Sequence, residues 1–111
     1  MAKKLYKPLL IESIKAGEDL LQQRFVDFNG KICKSGSKAI GVTDVSIDKD
    51  QFVPVGIFGI LLVESGGAIS TGDEITSDDN GRAVKATDSD AVNGYALDDG
   101  TEGTEIRILI R

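Results

Sequence analysis

The chain has 111 residues, 41% of them apolar, no histidine, no tryptophan, one cysteine and a net charge of −5. That length is one domain, able to bury roughly two-thirds of its unfolded surface. The acidic balance argues against a nucleic-acid partner, and no apolar run approaches the ~20 residues of a membrane-spanning helix.

Residues 1–8 read as an N-terminal arm, with Lys3, Lys4 and Lys7, no acid, and then Pro8. An export signal is not expected, because the apolar stretch is broken at Glu12 and no small-residue cleavage site follows. From residue 9 to 111 the chain reads as one β-rich domain of short apolar segments separated by Gly, Asn and Asp. Strands are predicted over Leu9–Ile14, Phe25–Phe28, Lys31–Lys34, Ala39–Ile47, Phe52–Val63, Glu74–Thr76, Arg82–Thr87, Asn93–Leu97 and Thr104–Ile110.

The last of these has the cleanest pattern. Ile106, Ile108 and Ile110 alternate with Glu105, Arg107 and Arg111, the period of a half-buried strand. In Phe52–Val63 the apolar parity passes from Val53, Val55 and Ile57 to Phe58, Ile60 and Leu62. A change of buried face beside Gly56 and Gly59 is expected there, with Pro54 at an edge or bulge.

The two halves of the chain match each other. Ile14–Leu20 parallels Ile69–Ile75 at an offset of 55 residues, and Phe28–Lys34 parallels Asp79–Lys85 at 51. Ile40-Gly41-Val42 parallels Asn93-Gly94-Tyr95, and Val53–Val55 parallels Ile106–Ile108, both at 53. Each half carries an Asn-Gly hairpin signal. The expected fold is all-β, a small β-barrel or β-tulip-like body built from two pseudo-repeated halves, with an extended N-terminal arm.

Side chains that carry chemistry are scarce. Without histidine there is no Ser-His or Cys-His pair and no imidazole metal ligand. Cys33 alone makes neither a thiolate zinc site nor an internal disulfide, which fits synthesis in a reducing cytoplasm. The acidic groups at Asp48 and Asp50, at Asp78 and Asp79, and at Asp98, Asp99 and Glu102 depart from calcium-loop spacing and read as turn residues. No enzymatic activity, no cofactor and no metal site is expected.

Charge is unevenly spread. Residues 1–38 hold eight Lys or Arg against four acids, and residues 39–111 hold five against fourteen. One end therefore suits an acidic partner.

The order of Gly17-Glu18 and Gly72-Asp73, Asn29–Lys31 and Asn80–Arg82, Gly41-Val42-Thr43, Gly56–Gly59, Gly94–Leu97 and Gly103 resembles the capsid decoration (cement) proteins of tailed bacteriophages. The resemblance covers residues 9–111. It implies a virion protein, made in the bacterial host cytoplasm, that sits on the outer surface of the phage head as a homotrimer and bridges major capsid proteins. It places capsid contacts on the arm, at Ala2, Lys3, Lys4, Leu5, Tyr6, Lys7, Pro8 and Leu9. Lysines would steer such an arm to an acidic shell, and backbone hydrogen bonds to a sheet edge would hold it. Phe58 and Leu109, off the inward parity of their neighbours, are the candidates for a subunit interface. A β-rich module binding carbohydrate or a cell surface, and an oligomeric tail or neck subunit, are the competing readings.

Overall fold

The computed structural model describes residues 6–111, and among them there is no helix. The strands are β1 (Lys7–Lys15), β2 (Phe25–Val26), β3 (Gly41–Thr43), β4 (Phe52–Glu64), β5 (Glu74–Ser77), β6 (Ala83–Lys85), β7 (Gly94–Ala96) and β8 (Glu105–Ile110). They form one antiparallel sheet in the order β2-β3-β4-β8-β7-β5-β6, with β1 on β4 as well. The sheet curls until Ala83, at the start of β6, bridges Ser65 just past the end of β4. The Gly66 amide donates to Ala83 O at 2.7 Å across this seam. The result is the expected all-β body, a nearly closed barrel.

Eight of the nine predicted strands are present, five of them shorter than expected and three, β1, β4 and β5, longer. Lys31–Lys34 is not a strand: only Ile32 bridges, to Val26. The amides there are taken elsewhere, Ile32 N by Glu18 Oε2 and Cys33 N by Phe25 O. The Asn-Gly turns also differ from two-residue hairpins. Only the glycines, Gly30 and Gly81, are left-handed, with φ of 77° and 75°. Each closes a three-residue loop whose leading aspartate accepts two amides. Asp27 Oδ1 takes Asn29 N and Lys31 N, both at 2.9 Å, and Asp78 Oδ1 takes Asn80 N at 2.8 Å and Arg82 N at 2.9 Å.

The duplication is written into the backbone. Asp44 N donates to Pro54 O and Leu97 N to Arg107 O; Gln51 N donates to Asp48 O and Thr104 N to Thr101 O. Both pairs keep the 53-residue offset. The first anchor shifts. Leu20 pairs with Ile47, and Ile69 pairs with Gly100, the counterpart of Ile47. Ile69 therefore corresponds to Leu20 and not to Ile14. The same register equates Gln23 with Gly72, since Gln23 N donates to Thr43 O and Gly72 N to Ala96 O.

The buried side of β4 does not switch. Val53, Val55, Leu61 and Val63 are all buried, and Phe58 faces out at 43% exposure. The irregularity at Gly59 (φ 111°) is absorbed by β1, whose register shifts between Pro8 and Leu10 and again between Leu10 and Ile11. Pro54 lies inside an interior strand, opposite Ser13 of β1. It is tolerated because the β3–β4 ladder ends at Thr43–Val55, so the missing N–H falls just past the last pair.

The core lies inside the curl. Phe25, Leu61, Val63, Ile75, Ile106 and Ile108 form the larger cluster, and Leu20, Val26, Val53 and Val55 a smaller one under β1. Ile106 and Ile108 are fully buried, as the alternation in β8 predicts.

Candidate interaction surface

Four strands build one apolar outer face. Residues directly opposite in an antiparallel ladder place their side chains on the same side. Leu10 of β1 lies opposite Phe58 of β4; two residues on, Ile60 lies opposite Leu109 of β8, and Leu109 opposite Tyr95 of β7. Phe58 and Leu109 therefore share a face, with Ile60 as the link between them. Leu10 is 52% exposed, and Leu9, extruded at the β1 irregularity, is 71% exposed. Lys7, opposite Ile60, brings a cation to the same face, and the face is a candidate for association. Arg111 stacks over the Tyr95 ring at 5.5 Å from its centroid and closes one end of the strip.

β1 is the sheet's exposed margin. It pairs along one edge with β4, and among the described residues no strand pairs with its other edge. Lys7, Pro8 and the register shifts are devices that discourage uncontrolled pairing at such an edge. The strand also starts earlier than expected: Lys7 pairs with Ile60 and Pro8 with Gly59. These two residues of the predicted arm are thus part of the sheet, because β4 is long enough to template them. Leu9 lies in β1 as well. The Tyr6 hydroxyl donates to Asp44 Oδ1 at 3.1 Å, and the carboxylate it faces pushes the phenol pKa up. Ala2, Lys3, Lys4 and Leu5 lie outside the described residues.

An ionic seam ties the two halves together, and sequence reading missed it. Glu64, at the end of β4, accepts Arg24 Nη2 at 3.1 Å and meets Arg82 Nη1 at 3.6 Å. Arg82 also reaches Asp78 at 3.3 Å and Glu102 at 3.7 Å. Gln23 Nε2 donates to Glu105 Oε2 at 2.7 Å. Arg24 and Gln23 come from the first half, and Asp78, Arg82, Glu102 and Glu105 from the second. The only signal was polar residues, Gln22 to Arg24, leading straight into an apolar strand.

In two of the three aspartate groups the carboxylates have structural partners. Asp78 caps its turn, Asp98 chelates Arg107 through both oxygens at 2.9 to 3.1 Å, and Asp99 accepts the Thr71 amide and hydroxyl. Those two bonds hold the Asp99 pKa below the usual carboxylate range. Cys33 is fully buried, and burial pushes its thiol pKa up, the setting of an inert core cysteine.

A cleft opens where the sheet forks. β3 pairs with Val55 and Gly56, β8 takes over the same edge of β4 from Gly59, and Ile57 and Phe58 have no ladder partner on that edge. The gap has a volume of about 290 Å³, with Phe25, Ile40, Ile57 and Ile110 in its walls and Phe28, Lys38 and Arg111 among its lining residues.

A family model described as phage cement protein matches residues 10–111. No curated protein matches the chain. Among solved structures, the crystal structure of the head fiber gp8.5 N base of bacteriophage phi29 is similar, with a TM-score of 0.77, 21% sequence identity, and coverage of 92% of this chain and 93% of that one. At that identity the likeness speaks to the fold.

Proposed function

The chain belongs to the phage cement protein family, a capsid-associated structural component of the virion, and from that premise we propose that it binds the outer surface of the assembled head and bridges neighbouring major capsid proteins without catalysing a reaction. The observation that carries this reading is the apolar face through Leu10, Phe58, Ile60 and Leu109, placed beside an exposed edge strand. A barrel that buries its own core has no need of such a face. It is a surface kept for other protein.

The face and the chain's start divide the work. The homotrimer implied by the sequence resemblance would bury Phe58 and Leu109 between copies, while Ala2 to Leu5, with Lys3 and Lys4, meet an acidic shell. A ligand that binds an assembled lattice but not its separated subunits stabilises the lattice by mass action. Many copies held weakly then reinforce the whole head. The acidic body, net −5 overall, keeps the decorated surface soluble.

The test is co-sedimentation of purified protein with expanded, undecorated heads and with unexpanded ones. Saturable binding to expanded heads is the expected result. Absence of binding to both would overturn the reading.

A further inference from the structure

The fork cleft differs from the rest of the surface in charge. The chain is acidic, yet no carboxylate side chain lines this cleft, and Lys38 and Arg111 do. Among the described residues neither cation is in an ion pair, Arg111 being stacked on the Tyr95 ring instead. Lys38 Nζ donates to Val92 O at 2.8 Å, which leaves two of its three N–H groups for another acceptor.

The cleft is also built, and not a gap between loose loops. Buried Asn93 clamps the segment that carries Lys38: its Nδ2 donates to Ser37 O at 2.9 Å, and its Oδ1 accepts Ala39 N at 3.0 Å. Equivalent positions of the two halves face it, Ile57 with Ile110 and Ile40 with Asn93. Three half-buried isoleucines and the fully buried Phe25 give it apolar walls, and 65%-exposed Phe28 lines it too. The interrupted ladder at Ile57 and Phe58 leaves strand backbone beside the opening.

Apolar walls of this volume fit one large side chain, the two exposed cations favour a neighbouring negative charge, and free strand backbone favours an extended main chain. We infer that the cleft is an anchor pocket for an extended protein segment bearing an aromatic side chain flanked by carboxylates, supplied by the neighbouring capsid subunit. The second part rests on the function proposed above; the chemistry of the pocket does not.

The experiment uses the whole chain. Acetyl-Gly-Asp-Phe-Asp-Gly-amide is titrated into it while backbone amide shifts are followed, alongside the same peptide with Ala for Phe, the same with Asn for Asp, and dodecanoate. Saturable shifts confined to Ile40, Gly41, Ile57 and Ile110 are expected, with affinity reduced about tenfold by either peptide change and by Lys38→Glu with Arg111→Glu. Both substitutions are at exposed positions, so the fold is retained. No saturable binding, indifference to the carboxylates, or binding of dodecanoate alone would overturn the pocket. Lys38→Glu alone, which leaves the Arg111–Tyr95 stack on the outer face intact, is then compared with the wild type on expanded heads. Wild-type binding lost in the variant supports the capsid segment as occupant, and equal binding rejects it while leaving the family role intact. Failure of the wild type to bind heads counts against the proposed function, and the peptide titration still decides the pocket.

Discussion

Asp50 and Gly103 occupy the same position in the two halves, and both are left-handed, with φ of 73° and 85°. Gln23 and Gly72 repeat the relationship at 59° and 93°, and Gly30 and Gly81 at 77° and 75°. A left-handed residue is costly for any side chain beyond glycine, so its recurrence at three matched places reports inherited backbone and not inherited sequence. The second half has glycine at each of them; the first half has it at one.

Asp50 therefore carries backbone strain that glycine relieves. Asp50→Gly is expected to raise stability by about 0.5 kcal/mol, the relief being partly offset by the freer unfolded chain. Asp50→Val, β-branched in the same conformation, should lower it by at least ~1 kcal/mol. Urea unfolding of the three proteins checks both. A valine variant as stable as the glycine one would mean that this residue is not left-handed in solution.

Glu64 is the hinge of the ionic seam. Arg24 Nε is buried with no partner, so its guanidinium already depends on Glu64 and on Asn80 O. Glu64→Ala should cost about 2 kcal/mol, because it leaves Arg24 and Arg82 without their shared anion in a partly buried site. Glu64→Gln, which keeps an acceptor, should cost roughly half as much. Equal, negligible losses in chemical denaturation would show that the seam is not structural.

Acid should loosen the Thr71–Asp99 contact. The folded pKa of Asp99 lies below its unfolded value, so this contribution is fully present above the unfolded pKa and is lost as the pH falls through the folded one. Asp99→Asn should lower stability at neutral pH and flatten its decline between pH 5 and the acid limit, relative to wild type. A variant with an unchanged acid slope would remove Asp99 from the account.

Phe58 is exposed in the single chain, so Phe58→Asp should change the unfolding free energy of that chain by less than ~1 kcal/mol. Its expected effect is on association: light scattering should find a smaller species than the wild type at the same concentration. An unchanged mass would take Phe58 out of the subunit contact.

The fold was legible where a residue's role is local. Alternation in Glu105–Ile110 located β8, glycine spacing located the halves, and nine short apolar runs pointed to an all-β body. What sequence could not display depends on partners far along the chain. Whether Phe58 or Ile57 faces inward turns on β1 absorbing the irregularity at Gly59, a matter of pairing across some fifty residues. Equating Ile69 with Ile14 was a misalignment for a similar reason: the matching glycine-acid turns have different neighbours in space. The ionic seam and the fork cleft join residues from both halves, and neither has a contiguous signature. Leu109 could be read as outward because the clean alternation of β8 is visible in one strand alone.

In the function proposed above, this barrel acts by reinforcing a lattice. Its most direct test is the temperature at which expanded, undecorated heads lose integrity, followed by light scattering as purified protein is added. The expected result is a rise that grows with occupancy and levels off when the sites are full. Heads that carry bound protein at saturation and yet fail at the undecorated temperature would contradict it.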